Sequence, residues 1–225
     1  FVVVAVDHTG GAFSTTLADG TVVRFDDAAF GAGLNGEAFD RAIRSIGETW
    51  TQDISAVLDA LEAGDGWASA NRLDLQRVVG IGHSTGGGSM FEFCARDDRC
   101  AGAVGLDPWL LPTSPATVDA GLDQPLLGLF GDASYDFFEP DNHEMFADLL
   151  TATEGNDATT RHRMVTGANH VDFTDGALLS PWGRLLGQDK GSIAAHRAFE
   201  VIVAEVVHFL DQVLAGVDAN PPDNP

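Results

Sequence analysis

Apolar and polar positions along this chain switch between two periods, and the switches outline its architecture. Short β-branched runs bounded by turn residues fall at 1–6, 77–82, 102–106, 126–130 and 161–166. Each reads as a strand with little polar interruption, the composition of strands buried on both faces of a helix-covered parallel sheet. Helical period fills the gaps. It is clearest over 193–214, where Ile193, Phe199, Ile202, Val206, Phe209, Leu210 and Val213 recur as one apolar stripe. A second helix is predicted from about Glu48 to Leu61, with Ile54, Val57, Leu58 and Leu61 on one side and Gly64-Asp65-Gly66 as its stop. A third runs from Gly87 to Ala95, directly after the strand at 77–82. Strand and helix alternating in this order predict an α/β fold, a mostly parallel sheet with helices on both faces.

Residues 7–36 are rich in Gly, Asp and Ala and read as a long loop with a short hairpin around Asp19-Gly20. The segment 218–225 carries three prolines and no apolar period, so the reading assigns a single catalytic-size domain to 1–217 and a flexible tail to 218–225. The chain opens on Phe1 rather than methionine, and its first six residues already read as a buried strand. The expectation is therefore a domain whose amino-terminal strands lie upstream of this sequence.

Charge narrows the range of partners. Asp and Glu total 34 against 12 for Lys and Arg, a formal net charge of -22, and Lys190 is the only lysine. Affinity for a polyanion rests on cation contacts, so nucleic acid is excluded as a partner and anionic membrane surfaces are disfavoured. No apolar run reaches the length of a membrane span, which argues against stable membrane insertion. Cys94 and Cys100 fit neither a zinc pattern nor a redox CxxC motif, so no metal site is expected from them. Two arrangements stay open: a small disulfide loop between a helix end and the next strand, or two separate thiols.

The sharpest chemical signal is Gly82-His83-Ser84-Thr85-Gly86, placed between the strand 77–82 and a helix. This is the GxSxG elbow in the context it requires, a tight turn that lifts a serine hydroxyl clear of the sheet. Side chains at 82 and 86 are expected to collide with neighbouring backbone. The Thr85 backbone amide, at the helix start, is expected to donate to an oxyanion. A dinucleotide loop fails on spacing, because Thr85 stands where glycine or alanine is needed.

A serine needs a base, and the base needs an acid to orient it. In this topology the order along the chain is serine, acid, histidine. His143, His196 and His208 fall in helical stretches, His162 falls inside a strand, and His8 precedes the serine. His83 is adjacent to Ser84, with its side chain expected to point elsewhere. His170, in the loop after the last strand, takes the role of base. Asp107 follows one strand and Asp132 and Asp136 follow the next, and both strand ends are acid positions. Asp172 and Asp175 are too near His170 in sequence and read as solvated capping residues. His83, Trp109, Leu110, Leu111, Phe137 and Phe138 are candidates for a substrate pocket.

Three blocks together, Gly82 to Gly87, Cys100 to Trp109 and Gly167 to Asp175, resemble the plasma-type platelet-activating factor acetylhydrolases and their bacterial relatives. The resemblance implies an α/β-hydrolase fold and places the acid in Leu106-Asp107-Pro108-Trp109, so that Asp107 takes the role and Asp132 becomes the alternate. It implies calcium-independent hydrolysis of short sn-2 acyl groups of phospholipids or of simple esters, with no metal or cofactor. Two features depart from the family pattern. No loop here matches its second oxyanion donor, and Pro108 replaces a small residue. A polyester or cutin hydrolase is the nearest alternative within enzymes, and a catalytically silent binding module is the alternative outside them.

Overall fold

A computed structural model describes residues 1–64, 72–132, 141–153, 159–179 and 191–215. The chain first forms a small antiparallel hairpin, β1 (Ser14–Thr16) and β2 (Val22–Arg24), closed by a turn in which Gly20 has φ 86. The expected hairpin at Asp19-Gly20 is therefore present. A long helix α1 (Gly36–Glu62) follows, and then the strands and helices of the main layer: β3 (Val78–His83), α2 (Thr85–Arg96), β4 (Cys100–Leu106), α3 (Pro115–Ala120), β5 (Leu126–Gly131), α4 (Asp141–Ala152) and β6 (Arg161–Val165). A 3-10 turn (His170–Phe173), a short helix α5 (Gly176–Leu179) and the last helix α6 (Ala195–Ala215) complete the described elements.

The four strands β3 to β6 pair in parallel and in sequence order. In β5, all of it buried, the side chains divide by strict alternation. Leu126 and Phe130 enter a core with Leu58, Phe91, Phe93, Leu110, Phe146 and Leu149, while Leu127 and Leu129 enter a second core with Val165, Phe173, Ile202 and Phe209. Helices α1 to α4 therefore cover one face and α6 the other. Each Leu or Phe so buried contributes roughly 1.5–3 kcal/mol.

Three expectations change. Residues 1–6 form no strand: Phe1, Val2, Val3 and Val4 are 73%, 62%, 87% and 49% exposed. Val4, Ala5 and Val6 run beside the outer edge of β3 across a cavity of about 320 Å³ walled by Trp50, Ile54, Val57 and Met90. A run whose N–H and C=O groups are not paired with another strand does not become a strand, whatever its composition. Helix α1 begins at Gly36 rather than near Glu48, because the apolar stripe extends forward through the buried Ile43 and Ile46. Phe199 does not join the α6 stripe. It is 51% exposed, and Ala198 takes the buried position beside it. Asp65 and Gly66 and the tail 218–225 lie outside the described residues.

Of the two arrangements open for the cysteines, the structure has the disulfide. Cys94 and Cys100 are bonded, with their Cα atoms 5.1 Å apart, and join the end of α2 to the start of β4. Closing so short a loop removes unfolded-state entropy worth about 2 kcal/mol. The double variant Cys94→Ala, Cys100→Ala is expected to lose that amount in urea unfolding. An unchanged midpoint and slope would contradict it.

Candidate active site

The site begins where β3 runs into α2. Ser84, the residue between them, has φ 56 and ψ -123, a conformation that costs a residue with a Cβ about 1–3 kcal/mol and needs rigid surroundings to hold it. Those surroundings are visible. The Ser84 N–H donates to Leu106 O at 3.1 Å, and the Ser84 carbonyl accepts from Gly87 and Trp109, both at 2.9 Å. A Cβ on Gly82 would sit well inside contact distance of the Gly86 carbonyl, so the turn closes on itself only with glycine there. The same expectation fails at Gly86, whose added Cβ would meet nothing within 4 Å. The crowding falls one and two residues later: a Cβ on Gly87 would lie 2.6 Å from Pro108 Cβ, and one on Gly88 would strike the Trp109 carbonyl. Glycines 87 and 88 let the segment after β4 lie directly on the elbow helix.

Thr85 is the first residue of α2, so its amide has no acceptor one turn back within the helix.

Asp107 leaves β4 with φ 43, another positive value for a residue with a side chain. Its carboxylate is almost wholly buried and is held at both oxygens. Oδ1 accepts from Gly131 N–H at 2.9 Å, and Oδ2 lies 2.7 Å from His170 Nδ1. A carboxylate only accepts, so the His170 proton sits on Nδ1 and Nε2 is the basic nitrogen. Asp132, the alternate acid, is engaged elsewhere: its Oδ1 accepts from Gly167 N–H at 2.5 Å, at the start of the loop that carries His170.

That loop is tightly pinned. Asn169 accepts from His170 N–H at 2.6 Å and forms a reciprocal capping box with Asp172. Asp172 Oδ2 also accepts from Gly191 N–H at 2.8 Å. Asp172 caps the loop as expected but is buried rather than solvated, while Asp175 is exposed. The segment after Asp107 is held from α4. Asn142 Oδ1 accepts from Leu110 N–H at 2.7 Å, and its Nδ2 donates to Pro108 O at 3.1 Å. Nothing in the sequence singled out Asn142, since its only signal is a polar residue at an otherwise buried helical position.

His83 does not point away from the site. Its ring centroid lies 4.4 Å from that of His170, and its Nε2 is 3.1 Å from the His170 carbonyl. Burial first, and the neighbouring His170 second, lower its pKa to about 4. Among the other pocket candidates, Trp109 is half-buried against Phe39, and Leu110 belongs wholly to the core. Phe137, Phe138 and Asp136 lie outside the described residues. The remaining histidines are on other business. His8 stacks on Trp50 and meets Asp53 at 2.8 Å, His143 and His162 pack on Phe130, and His196 and His208 lie on α6. Among the described residues no group of three His, Cys, Asp or Glu is placed to hold a metal ion, and no helix is long and apolar enough to cross a membrane.

A serine at a strained strand-to-helix turn, on a parallel sheet helix-covered on both faces, defines the α/β-hydrolase class. Two solved structures share the fold. A ferulic acid esterase from Streptomyces cinnamoneus superposes with a TM-score of 0.70 at 24% identity, covering 97% of this chain and 61% of that one. A dienelactone hydrolase-like promiscuous phosphotriesterase from metagenomic libraries gives 0.54 at 19% identity, covering 84% and 71%. Within that class the family model described as platelet-activating factor acetylhydrolase, isoform II, matches residues 55–224, and the chain belongs to that family. Platelet-activating factor acetylhydrolases of Gallus gallus and Cavia porcellus are 26% and 28% identical to it over 148 and 153 residues, or 64% and 66% of the chain. The matched stretch is 32% of each of those proteins, so the chain spans about a third of the length of these curated relatives.

The two elbow glycines give a direct test of the packing. Gly82→Ala is expected to lose about 1–3 kcal/mol of stability in urea unfolding, and Gly86→Ala less than about 0.5 kcal/mol. Equal losses at the two positions would contradict the geometry described.

Proposed function

We propose that this chain carries the catalytic machinery of a serine esterase, with Ser84 as nucleophile, His170 as base, Asp107 as the acid that orients it, and 1–217 as one catalytic domain. The observation that carries the reading is the 2.7 Å contact between the buried Asp107 carboxylate and His170 Nδ1, beside an elbow that presents Ser84. With its proton fixed on Nδ1, His170 accepts the Ser84 hydroxyl proton at Nε2 as the oxygen attacks an ester carbonyl. The negative charge passes to the carbonyl oxygen, which the Thr85 amide stabilises. His170 then returns the proton to the departing alcohol, and an acyl-serine remains. Water, deprotonated by the same nitrogen, attacks that ester, and the acid departs as Ser84 regains its proton. Asp107 stays ionised and stabilises the imidazolium formed in each half.

The substrate class proposed is a short-chain carboxylic ester, including the sn-2 acyl group of a phospholipid. Membership of the acetylhydrolase family supports this, as does likeness to a ferulic acid esterase in fold. The polyester-hydrolase alternative draws its acid from the later strand. Asp132 instead binds the Gly167 amide, which favours Asp107.

Asp107→Asn, which puts the imidazole in the wrong tautomer, is expected to lower kcat on p-nitrophenyl acetate about ten-thousandfold. Asp132→Asn is expected to lower it less than about tenfold, through a loosened loop. The reverse order would move the acid to Asp132 and with it the reading toward the polyester hydrolases. In a series of p-nitrophenyl esters, kcat/KM is expected to fall from acetyl to octanoyl. A rise toward octanoyl would set aside the short-chain assignment.

A further inference from the structure

Beyond the three groups of the proposed triad, the half-buried side chain of His83 touches the proposed base and has no step in the chemistry. His83 packs its ring against that of His170, centroid to centroid at 4.4 Å and 34° from parallel, and brings Nε2 to 3.1 Å from the His170 carbonyl oxygen. A carbonyl only accepts, so Nε2 carries the proton and donates it. We infer that His83 is a positioning residue: its donated hydrogen bond holds the His170 backbone in register with the nucleophile, whose peptide bond it shares. The inference rests on the reading of His170 as base.

The geometry gives the bond its leverage. His170 sits on a loop and a 3-10 turn, the kind of segment that moves unless it is pinned. Asp107 pins the ring at Nδ1, Asn169 pins the backbone N–H, and Asp172 and Asp132 hold the loop on either side. All of these act from β4, from the end of β5 or from the loop itself. His83 acts from the end of β3, one residue from Ser84, so the distance between nucleophile and base is set through two peptide units and one hydrogen bond. A misplacement on the order of 1 Å at such a pair costs about a hundredfold in rate, which is the scale on which a lost tie is felt.

The ring chemistry agrees. Burial keeps His83 neutral down to a pH of about 4, so the stacked ring adds no charge next to the imidazolium that forms on His170 during turnover. Among the described residues, Asp107 and His170 are the charged or titratable groups facing it. A lysine or arginine in the same place would supply a donor and oppose that imidazolium. A neutral imidazole supplies the donor alone.

The test compares two substitutions in the full chain with p-nitrophenyl acetate as substrate. His83→Phe keeps an aromatic ring at the position and removes the donor to the His170 carbonyl. His83→Gln removes the ring and keeps an N–H donor near the position of Nε2. The phenylalanine variant is expected to lose at least about tenfold in kcat with KM within about twofold, and the glutamine variant to recover most of that loss. A phenylalanine variant within threefold of wild type overturns the inference, and so does an equal loss in both variants, which marks a packing role. If the phenylalanine variant does not fold, the glutamine variant decides by itself, kcat near wild type supporting the tie and a loss of tenfold or more overturning it. Failure of the triad reading shows separately, as wild-type activity that survives Ser84→Ala or His170→Ala.

Discussion

The structure turns on how closely two pieces of backbone approach each other at the elbow. Ser84 is held in a conformation that residues with a Cβ avoid, and its carbonyl is shared between Gly87 and Trp109. That sharing needs bare backbone at Gly82, Gly87 and Gly88, where any side chain would strike the Gly86 carbonyl, Pro108 or the Trp109 carbonyl. The energy stored in the turn is of the size of a few hydrogen bonds, so the surrounding network, more than any single contact, keeps it in place.

The same approach positions the proposed acid. The amide that caps the Ser84 carbonyl belongs to Trp109, two residues after Asp107, so Ser84 and the Asp107 carboxylate hang on one short stretch of chain. Asn142 fixes that stretch from α4, and the buried Glu92 accepts from Ser114 N–H at 2.8 Å while pairing with Arg96. Buried charges of this kind are stable only where every oxygen finds a partner. Asp107 meets that condition with one oxygen on Gly131 and one on His170. Its pairing geometry is therefore fixed by burial as much as by attraction.

Much of this was legible in the residues. The sheet strands, α2 and α6 followed from apolar period, because burial on both faces leaves a plain record in composition. Gly82 in front of Ser84, followed by a helix, pointed to the turn. The misreadings have physical causes. Residues 1–6 have strand composition, but a strand also needs a neighbour, which composition does not encode. The first turns of α1 were hidden by Gly36 and by Gly47, the latter required where the helix crosses the Pro112 carbonyl. The choice between Asp107 and Asp132 depends on which carboxylate the His170 ring meets when the loop after β6 folds back, a matter of three-dimensional register. Gly86 was given a steric role that belongs to Gly87 and Gly88, because the crowding comes from a segment twenty residues away in sequence. His83 was misjudged for a related reason. Alternation along β3 does not carry through a strained turn, and the ring swings toward the loop of His170.

Covalent labelling of the serine tests the central claim most directly. A fluorophosphonate mimics the tetrahedral state and stays on an activated hydroxyl, and peptide mass mapping then reports the residue that reacted. The account predicts one adduct per chain, on Ser84, formed at least about a thousandfold more slowly when His170 is replaced by alanine. An adduct on another residue, or a folded chain that takes none, would contradict it.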